Sequence, residues 1–331
     1  MINVAQIGVG YWGPNLLRNL VANKDCNVRL VVDLAEERRD YVTSLYPKIS
    51  VSEKVQSLEE DPSIKAVIIA TPSRTHYDLA VKMINAGKHV LVEKPLATNI
   101  SEIEKLESLQ KEKNLIVMVG HTFLYNSAVR YVKKLIDSGD LGDIRYIYSQ
   151  RLNLGRIRSD IDALWNFAPH DISIIQYWLD EPEPLSVTVH GMDYVQGGID
   201  DVVFMNIKYQ GKIMANIHVS WLDPQRVRKM IVVGAKKMVI YDDVAENKIA
   251  IYDKGIDKMA VLGDSMDYDR PENIRFDHRS GDVLLPKIRF EEPLKVEIAH
   301  FLDCITNSTK CMTDVQHAKK VIKILCRGNS R

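Results

Sequence analysis

The sequence predicts an α/β protein: a doubly wound parallel sheet first, then a second α/β domain on a largely antiparallel sheet. Three observations carry this. Early in the chain, short continuously apolar runs alternate with helical stretches, as for parallel strands buried on both faces. Later strands alternate apolar and polar positions, which suits a sheet with one face on a core and one open to ligand. At 331 residues, 46% hydrophobic and 27% charged, the chain has the size and composition of two ordinary globular domains.

The parallel part starts from Met1 to Gly13, MINVAQIGVGYWG. Ile2, Val4, Ala5 and Ile7 make a buried strand, and Gly8, Gly10 and Gly13 follow before the helical stretch PNLLRNLVAN. In G-x-G-x-x-G after a strand, the first glycine makes a tight turn and the second admits a pyrophosphate to the backbone. The third lets helix and strand pack closely. The diphosphate then sits on the free N–H groups and positive end of the helix, where Pro14 suits the first turn. Tyr11 and Trp12, inside the loop, join the candidate cofactor contacts.

Val28 to Val32 read as the second strand, and Asp33 ends it, 20 residues after Gly13. A carboxylate there accepts both ribose hydroxyls of an adenosine and repels a 2′-phosphate, so NAD is expected rather than NADP. Arg38 and Arg39 lie further into the following helix. Ala66 to Ala70 is the next strand, followed by Thr71-Pro72-Ser73, His76 and a helix ending at Gly87. His89 to Val92 runs into Glu93-Lys94-Pro95, and Leu115 to Val119 ends at Gly120-His121. In such sheets ligands gather at the carboxyl ends of strands, where Gly8, Asp33, Thr71, Lys94 and His121 all fall.

The combination of Gly8-Val9-Gly10-Tyr11-Trp12-Gly13, Ala70 to His76 and Glu93-Lys94-Pro95 resembles the glucose-fructose oxidoreductase / inositol dehydrogenase / MocA (Gfo/Idh/MocA) family. The resemblance covers essentially the whole chain. It implies an N-terminal Rossmann domain over residues 1–121. A substrate-binding and oligomerisation α/β domain with an open, mostly antiparallel mixed sheet follows over 122–331. It further implies an NAD-dependent enzyme transferring hydride from a sugar carbinol, working as a homodimer or homotetramer. Thr71, Pro72, His76, Glu93, Lys94 and His121 then join the glycine loop and Asp33 as cofactor contacts.

The proline after Lys94 rigidifies the turn and aims the amine at the strand's carboxyl end. The resemblance implies a catalytic role for it and for His170, in Ala168-Pro169-His170-Asp171. Where the family's Asp-x-x-x-His has its carboxylate, this chain has Asn166. Asparagine cannot take a proton, so His170 and Lys94 become the acid/base pair; an imidazole, ordinarily titrating near ~6.5, serves as a base at neutral pH. Asn166 and Trp165 are expected to contact substrate, as are Tyr125, which stands where many relatives have arginine, Asn153, Arg156 and Arg158. With Arg151, these arginines suit an anionic substrate, because a guanidinium grips phosphate or carboxylate bidentately. Asp223, Arg226 and Arg228 are further candidates for a nucleotide end.

Residues 253–290 are polar and weakly periodic, and read as an irregular excursion. LKVEIAHFLDCI and VQHAKKVIKILC read as two amphipathic helices packed back on the body. Cys26, Cys304, Cys311 and Cys326 show no metal-ligand spacing, nor do His218, His278, His300 and His317, so no metal is expected. The formal net charge is zero, which provides no field for nucleic acid or an anionic membrane. Without a signal-peptide pattern or a run near the ~20 apolar residues of a spanning helix, a cytoplasmic protein is expected.

Within the family, G-V-G-Y-W-G-P-N, G-H-T-F-L-Y-N, R-L-N-L-G-R and A-L-W-N-x-A-P-H-D look like the branch acting on nucleotide-linked sugars. That likeness implies oxidation of the 3-hydroxyl of UDP-N-acetylglucosamine or its uronic acid. A pyridoxal-phosphate aminotransferase would then install a 3-amino group, as in lipopolysaccharide or lipid A biosynthesis. Rival readings are a dTDP-sugar ketoreductase, an inositol or other polyol dehydrogenase, and an NAD-sensing regulator without turnover.

Overall fold

The computed structural model describes residues 1–155, 157–260 and 274–328. They form two compact units. The first comprises Met1–Asn126, Ile172–Gln176 and Glu291–Arg331; the second comprises Ser127–Asp171 and Tyr177–Phe290. The C-terminal helices therefore group with the parallel sheet, whereas the sequence places everything after residue 121 in the second domain.

The first unit holds a six-stranded sheet of β1 (Ile2–Ile7), β2 (Cys26–Val32), β3 (Ser50–Ser52), β4 (Ala66–Ile69), β5 (His89–Glu93) and β6 (Val117–Gly120). Its order is β3-β2-β1-β4-β5-β6 and every pairing is parallel. All four residues of β4 are buried, as a strand covered on both faces requires. Helices α1 (Gly13–Ala22), α2 (Glu36–Leu45), α3 (Gln56–Glu59), α4 (His76–Asn85) and α5 (Ile100–Lys113) connect the strands. Asn99 caps α5 by accepting the Glu102 N–H, and Asn114 closes it in the left-handed region at φ 51°. The strand order reverses between β1 and β4, so the loops after them open a crevice at the sheet's carboxyl edge.

The second unit begins with α6 (Ser127–Asp137), β7 (Ile144–Leu154) and α7 (Ala163–Trp178), whose stretch Ile172–Gln176 groups with the first unit. Then come β8 (Ser186–Met192), β9 (Val202–Lys208), β10 (Met214–Ser220), β11 (Leu222–Gly234), β12 (Met238–Asp242), β13 (Ile249–Ala260) and β14 (Ile274–Leu284). They form a mixed sheet ordered β14-β13-β12-β11-β7-β10-β9-β8, antiparallel except for the β7–β10 pair. Alternate residues of β9 and β10 are buried, which is the expected one-sided pattern.

Ile249–Ala260 and Ile274–Leu284 are not irregular but an antiparallel strand pair, while residues 261–273 lie outside the described residues. Arg279 of β14 is bound to Asp253 and Asp257 of β13. With most of 276–290 facing solvent, this ribbon needs no apolar alternation, and the strand signal is hidden by charge.

Helices α8 (Pro293–Asn307) and α9 (Val315–Gly328) complete the first unit. Among the described residues no helix is long and apolar enough to cross a membrane.

Candidate active site

The glycine loop is built by steric exclusion. Gly8 sits at φ +93°, and a Cβ there would come within 2.7 Å of the Ala70 carbonyl oxygen. A Cβ on Gly13 would reach the Gly8 carbonyl oxygen at 2.5 Å, so helix, loop and strand close only with glycine. Gly10 has nothing within 4 Å of its would-be Cβ, leaving its backbone open to a ligand. Gln6, buried in β1, donates from Nε2 to the carbonyls of Gly8 and Gly13, at 2.8 and 2.9 Å, and so braces both ends of the loop. The first turn of α1 carries Pro14 and no acidic residue to compete with an anion.

Asp33 locks onto this loop. Its Oδ2 accepts the Val9 N–H at 2.7 Å and its Oδ1 the Ala35 N–H at 3.0 Å. Each oxygen keeps lone-pair capacity for a ribose hydroxyl. Arg39 folds back from α2, donating from Nη1 to the carbonyls of Asp33 and Leu34. The open backbone at Gly10, an uncontested helix start and a carboxylate tied to the same loop fit a dinucleotide. Tyr11, in the same loop, is 93% exposed.

The ends of β4, β5 and β6 are knitted together. Thr71 Oγ1 and Thr75 Oγ1 lie 2.7 Å apart, with Pro72 accepting from Thr75. His76 is buried, its Nδ1 2.8 Å from the Pro95 carbonyl and its Nε2 2.8 Å from the Thr71 carbonyl. Burial lowers its pKa, and the ring clamps the β4 and β5 turns to each other rather than facing outward. The Lys94–Pro95 peptide in that turn is cis, and Lys94 is half-buried. The Glu93 carboxyl is packed against Gly120, where a Cβ would stand 3.1 Å away. Burial pushes Glu93 up to about 7, against the Lys94 charge and a hydrogen bond from the Trp12 indole, which favour its ionised form.

Sequence reasoning misses the second carboxyl here. Glu297 of α8 is fully buried, accepts the Thr122 hydroxyl at 2.7 Å and is pushed well above the carboxylate range by burial and then by Glu93. The signal is present: Glu297 falls on the helical stripe Leu294, Ile298, Phe301 and Leu302, where a charged residue is out of place. His121 is buried edge-on against His317, at 5.1 Å between ring centres, and desolvation followed by the His317 and Lys94 charges holds it neutral.

Tyr125 is corrected. Only 1% exposed, it turns its hydroxyl inward to Thr313 Oγ1, 3.3 Å away, and its ring lies 5.6 Å from that of His300. It packs the interior and is not placed to meet a substrate.

In the second unit, His170 and Asn166 lie half-buried on α7, in its Ala163–Asp171 stretch. Asp162 caps this helix by accepting the Trp165 N–H at 2.8 Å. Pro169 has no N–H for the Trp165 carbonyl one turn back. Directly after His170, Asp171 accepts the Ser149 hydroxyl at 2.8 Å and Arg151 Nε at 2.8 Å, all three side chains being buried.

Arg151 is therefore committed to Asp171 and is withdrawn from the anion-binding arginines. Arg158 pairs with neighbouring Asp160 at 2.7 Å, and Arg156 lies outside the described residues. Asn153 is half-buried near the end of β7, against Gly155. Arg228 binds Asp243 at 3.5 Å.

Comparison with known proteins agrees with this geometry. Residues 2–121 match a model described as an oxidoreductase family with an NAD-binding Rossmann fold, and residues 129–240 match the GFO/IDH/MocA C-terminal domain. An uncharacterized oxidoreductase of Streptococcus pneumoniae is 28% identical over 65% of this chain and 61% of its own length. The chain spans less than two thirds of the length of most of the curated relatives it matches, 61% and 56% in two cases and down to 35% in another. A scyllo-inositol 2-dehydrogenase (NAD(+)) of Bacillus subtilis is 25% identical over 95% of this chain and 89% of its own. Among solved structures, UDP-N-acetylglucosamine 3-dehydrogenase GnnA from Acidithiobacillus ferrooxidans superposes with a TM-score of 0.81. It covers 99% of this chain and 96% of its own at 22% identity, which is a likeness of fold. With both of its domain models matched in order along the chain, the protein belongs to the Gfo/Idh/MocA oxidoreductase family and carries that family's NAD-binding Rossmann fold.

Proposed function

We propose that the protein oxidises the 3-hydroxyl of a nucleotide-linked amino sugar, UDP-N-acetylglucosamine or its uronic acid, to the 3-keto sugar with NAD. The observation that carries the dehydrogenase reading is Lys94, presented at the carboxyl end of β5 in a turn clamped by His76. The nucleotide-sugar reading is supported by the sequence pattern around Asn166 and His170 and by the fold shared with the UDP-N-acetylglucosamine enzyme. The basic loop contributes less than its composition suggests, because Arg151 is taken by Asp171 and Arg158 by Asp160.

In this reading Gly8, Gly10, Gly13 and the α1 N-terminus hold the pyrophosphate, and Asp33 holds the adenosine ribose. The bound nicotinamide supplies the hydride acceptor. His170 takes the hydroxyl proton, and the Lys94 ammonium stabilises charge developing on the same oxygen. Asn166, unable to carry a proton, orients the sugar by hydrogen bonds. A keto product at C3 has the carbonyl that transamination requires, which supports coupling to a pyridoxal-phosphate aminotransferase.

The test is to incubate the protein and NAD with UDP-N-acetylglucosamine, its uronate, dTDP-sugars and scyllo- and myo-inositol, following absorbance of the reduced cofactor. NADH formed with the UDP-sugars supports the reading. Turnover of inositols alone makes the protein a polyol dehydrogenase, as the Bacillus subtilis relative's name would suggest. NAD binding without turnover of any sugar replaces the enzyme by a sensor.

A further inference from the structure

The sequence shows no metal-ligand spacing among its cysteines and histidines, yet the fold brings three of them together. His300 and Cys304, four residues apart, lie on one face of α8. Ser308, in the left-handed region at φ 56°, ends the helix and returns the chain so that Cys311 faces the same point. The three ligand atoms all lie within 4.8 Å of one another, and His300 Nε2 is 3.5 Å from Cys304 Sγ. His300 Nε2 accepts the Met312 N–H at 3.2 Å, so the nitrogen turned towards the sulfurs is the one bearing a lone pair.

The 3.5 Å between His300 Nε2 and Cys304 Sγ is the nitrogen–sulfur edge of a metal tetrahedron, and with all three atoms within 4.8 Å a small inward shift of Cys311 completes it. Zinc–sulfur and zinc–nitrogen bonds of about 2.3 and 2.0 Å at tetrahedral angles hold nitrogen and sulfur roughly 3.5 Å apart, and two sulfurs roughly 3.8 Å apart. Cys304 is buried, while His300 and Cys311 are half-buried, which leaves an approach from solvent.

We propose that His300, Cys304 and Cys311 bind one thiophilic divalent cation, zinc being the ion that fits best. On binding, two thiol protons leave to solvent, two metal–sulfur bonds and one metal–nitrogen bond form, and water fills the fourth position. The Met312 N–H gives up its bond to His300. Two thiolates neutralise the ion, so the occupied site carries no net charge. Its role is to tie α8 to the turn leading to Thr313, whose carbonyl accepts the Val119 N–H at the edge of β6.

The experiment uses the full chain, reduced, stripped with a chelator and desalted, then loaded with Zn(II) or Co(II). One equivalent retained per chain is expected, with thiolate-to-cobalt charge-transfer absorption and tetrahedral d–d bands. Both should be absent in Cys304→Ser/Cys311→Ser and unchanged in Cys26→Ser/Cys326→Ser, with circular dichroism confirming that each variant is folded. On the wild type alone, zinc should slow the reaction of Cys311 with a thiol reagent, a readout that survives if variants fail to fold. Retention no greater than in the double variant, no slowing by zinc, or a Cys304–Cys311 disulfide with no metal uptake after reduction, would each overturn the proposal.

Discussion

Arg151 reaches across from β7 to grip Asp171 of α7 with two hydrogen bonds, 2.8 Å from Nε and 3.2 Å from Nη2. Both side chains are buried, and the pair stands one residue from His170. Removing one partner leaves an uncompensated charge in the interior. Asp171→Asn or Arg151→Met should therefore cost about 3–5 kcal/mol, read by urea unfolding of the wild type and each variant. The double replacement should recover part of that loss, as a double-mutant cycle will measure. Equal stability of wild type and single variants would mean the pair is not buried in solution.

Lys94→Met should bind NAD with nearly unchanged affinity yet lose turnover by ~10²–10⁴-fold, the usual share of a positioned proton-transfer or charge-stabilising group. Fluorescence titration with NADH separates the two effects. Wild-type-like turnover in this variant would remove Lys94 from the mechanism.

Replacing Asp33 by serine removes both the acceptor for the Val9 N–H and the charge that repels a 2′-phosphate. NAD affinity should weaken by about 1.5–3 kcal/mol, the range for a hydrogen bond to a charged group, while NADP affinity rises or holds. Arg39, already at the Asp33 carbonyl, is the cation best placed to profit. The ratio of the two dissociation constants is the measurement.

The carboxyl of Glu93, raised from 4.5 to about 7, sets a pH dependence. The folded state holds this proton where the unfolded chain has released it. The stabilising contribution is therefore full below the unfolded value and is lost as pH rises through about 7. Glu297, shifted in the same direction, adds to the trend. Thermal unfolding midpoints should fall between pH 5 and 8, and Glu93→Gln or Glu297→Gln should flatten the slope. An unchanged slope in both variants would assign it to other groups.

The parallel sheet was legible because each of its devices is local: Gly8, Gly10 and Gly13 follow one strand, and Lys94 and Pro95 follow another. What escaped was set by residues far apart in sequence. Nothing beside Arg151 reveals that Asp171 will claim it, and nothing in the stretch GHTFLYN shows that Tyr125 turns inward to Thr313, 188 residues later. Gln6 could have been noticed as the polar residue in a buried strand, and Glu297 as the carboxyl in an apolar stripe. The β13–β14 ribbon was hidden because its pairing rests on backbone and charge, not on an apolar face.

The first unit's three separate stretches bear on how the molecule is made. Its last helices are not ornamental: Glu292 accepts from Arg18 and Asn19 of α1, Glu297 takes the Thr122 hydroxyl, and Thr313 extends β6. On the ribosome, the whole parallel sheet emerges long before Glu291–Arg331 has been translated. The edge of β6 therefore stays uncovered until residues made after the second unit emerge. The cover of β6 is therefore the last part of the first unit to be synthesised.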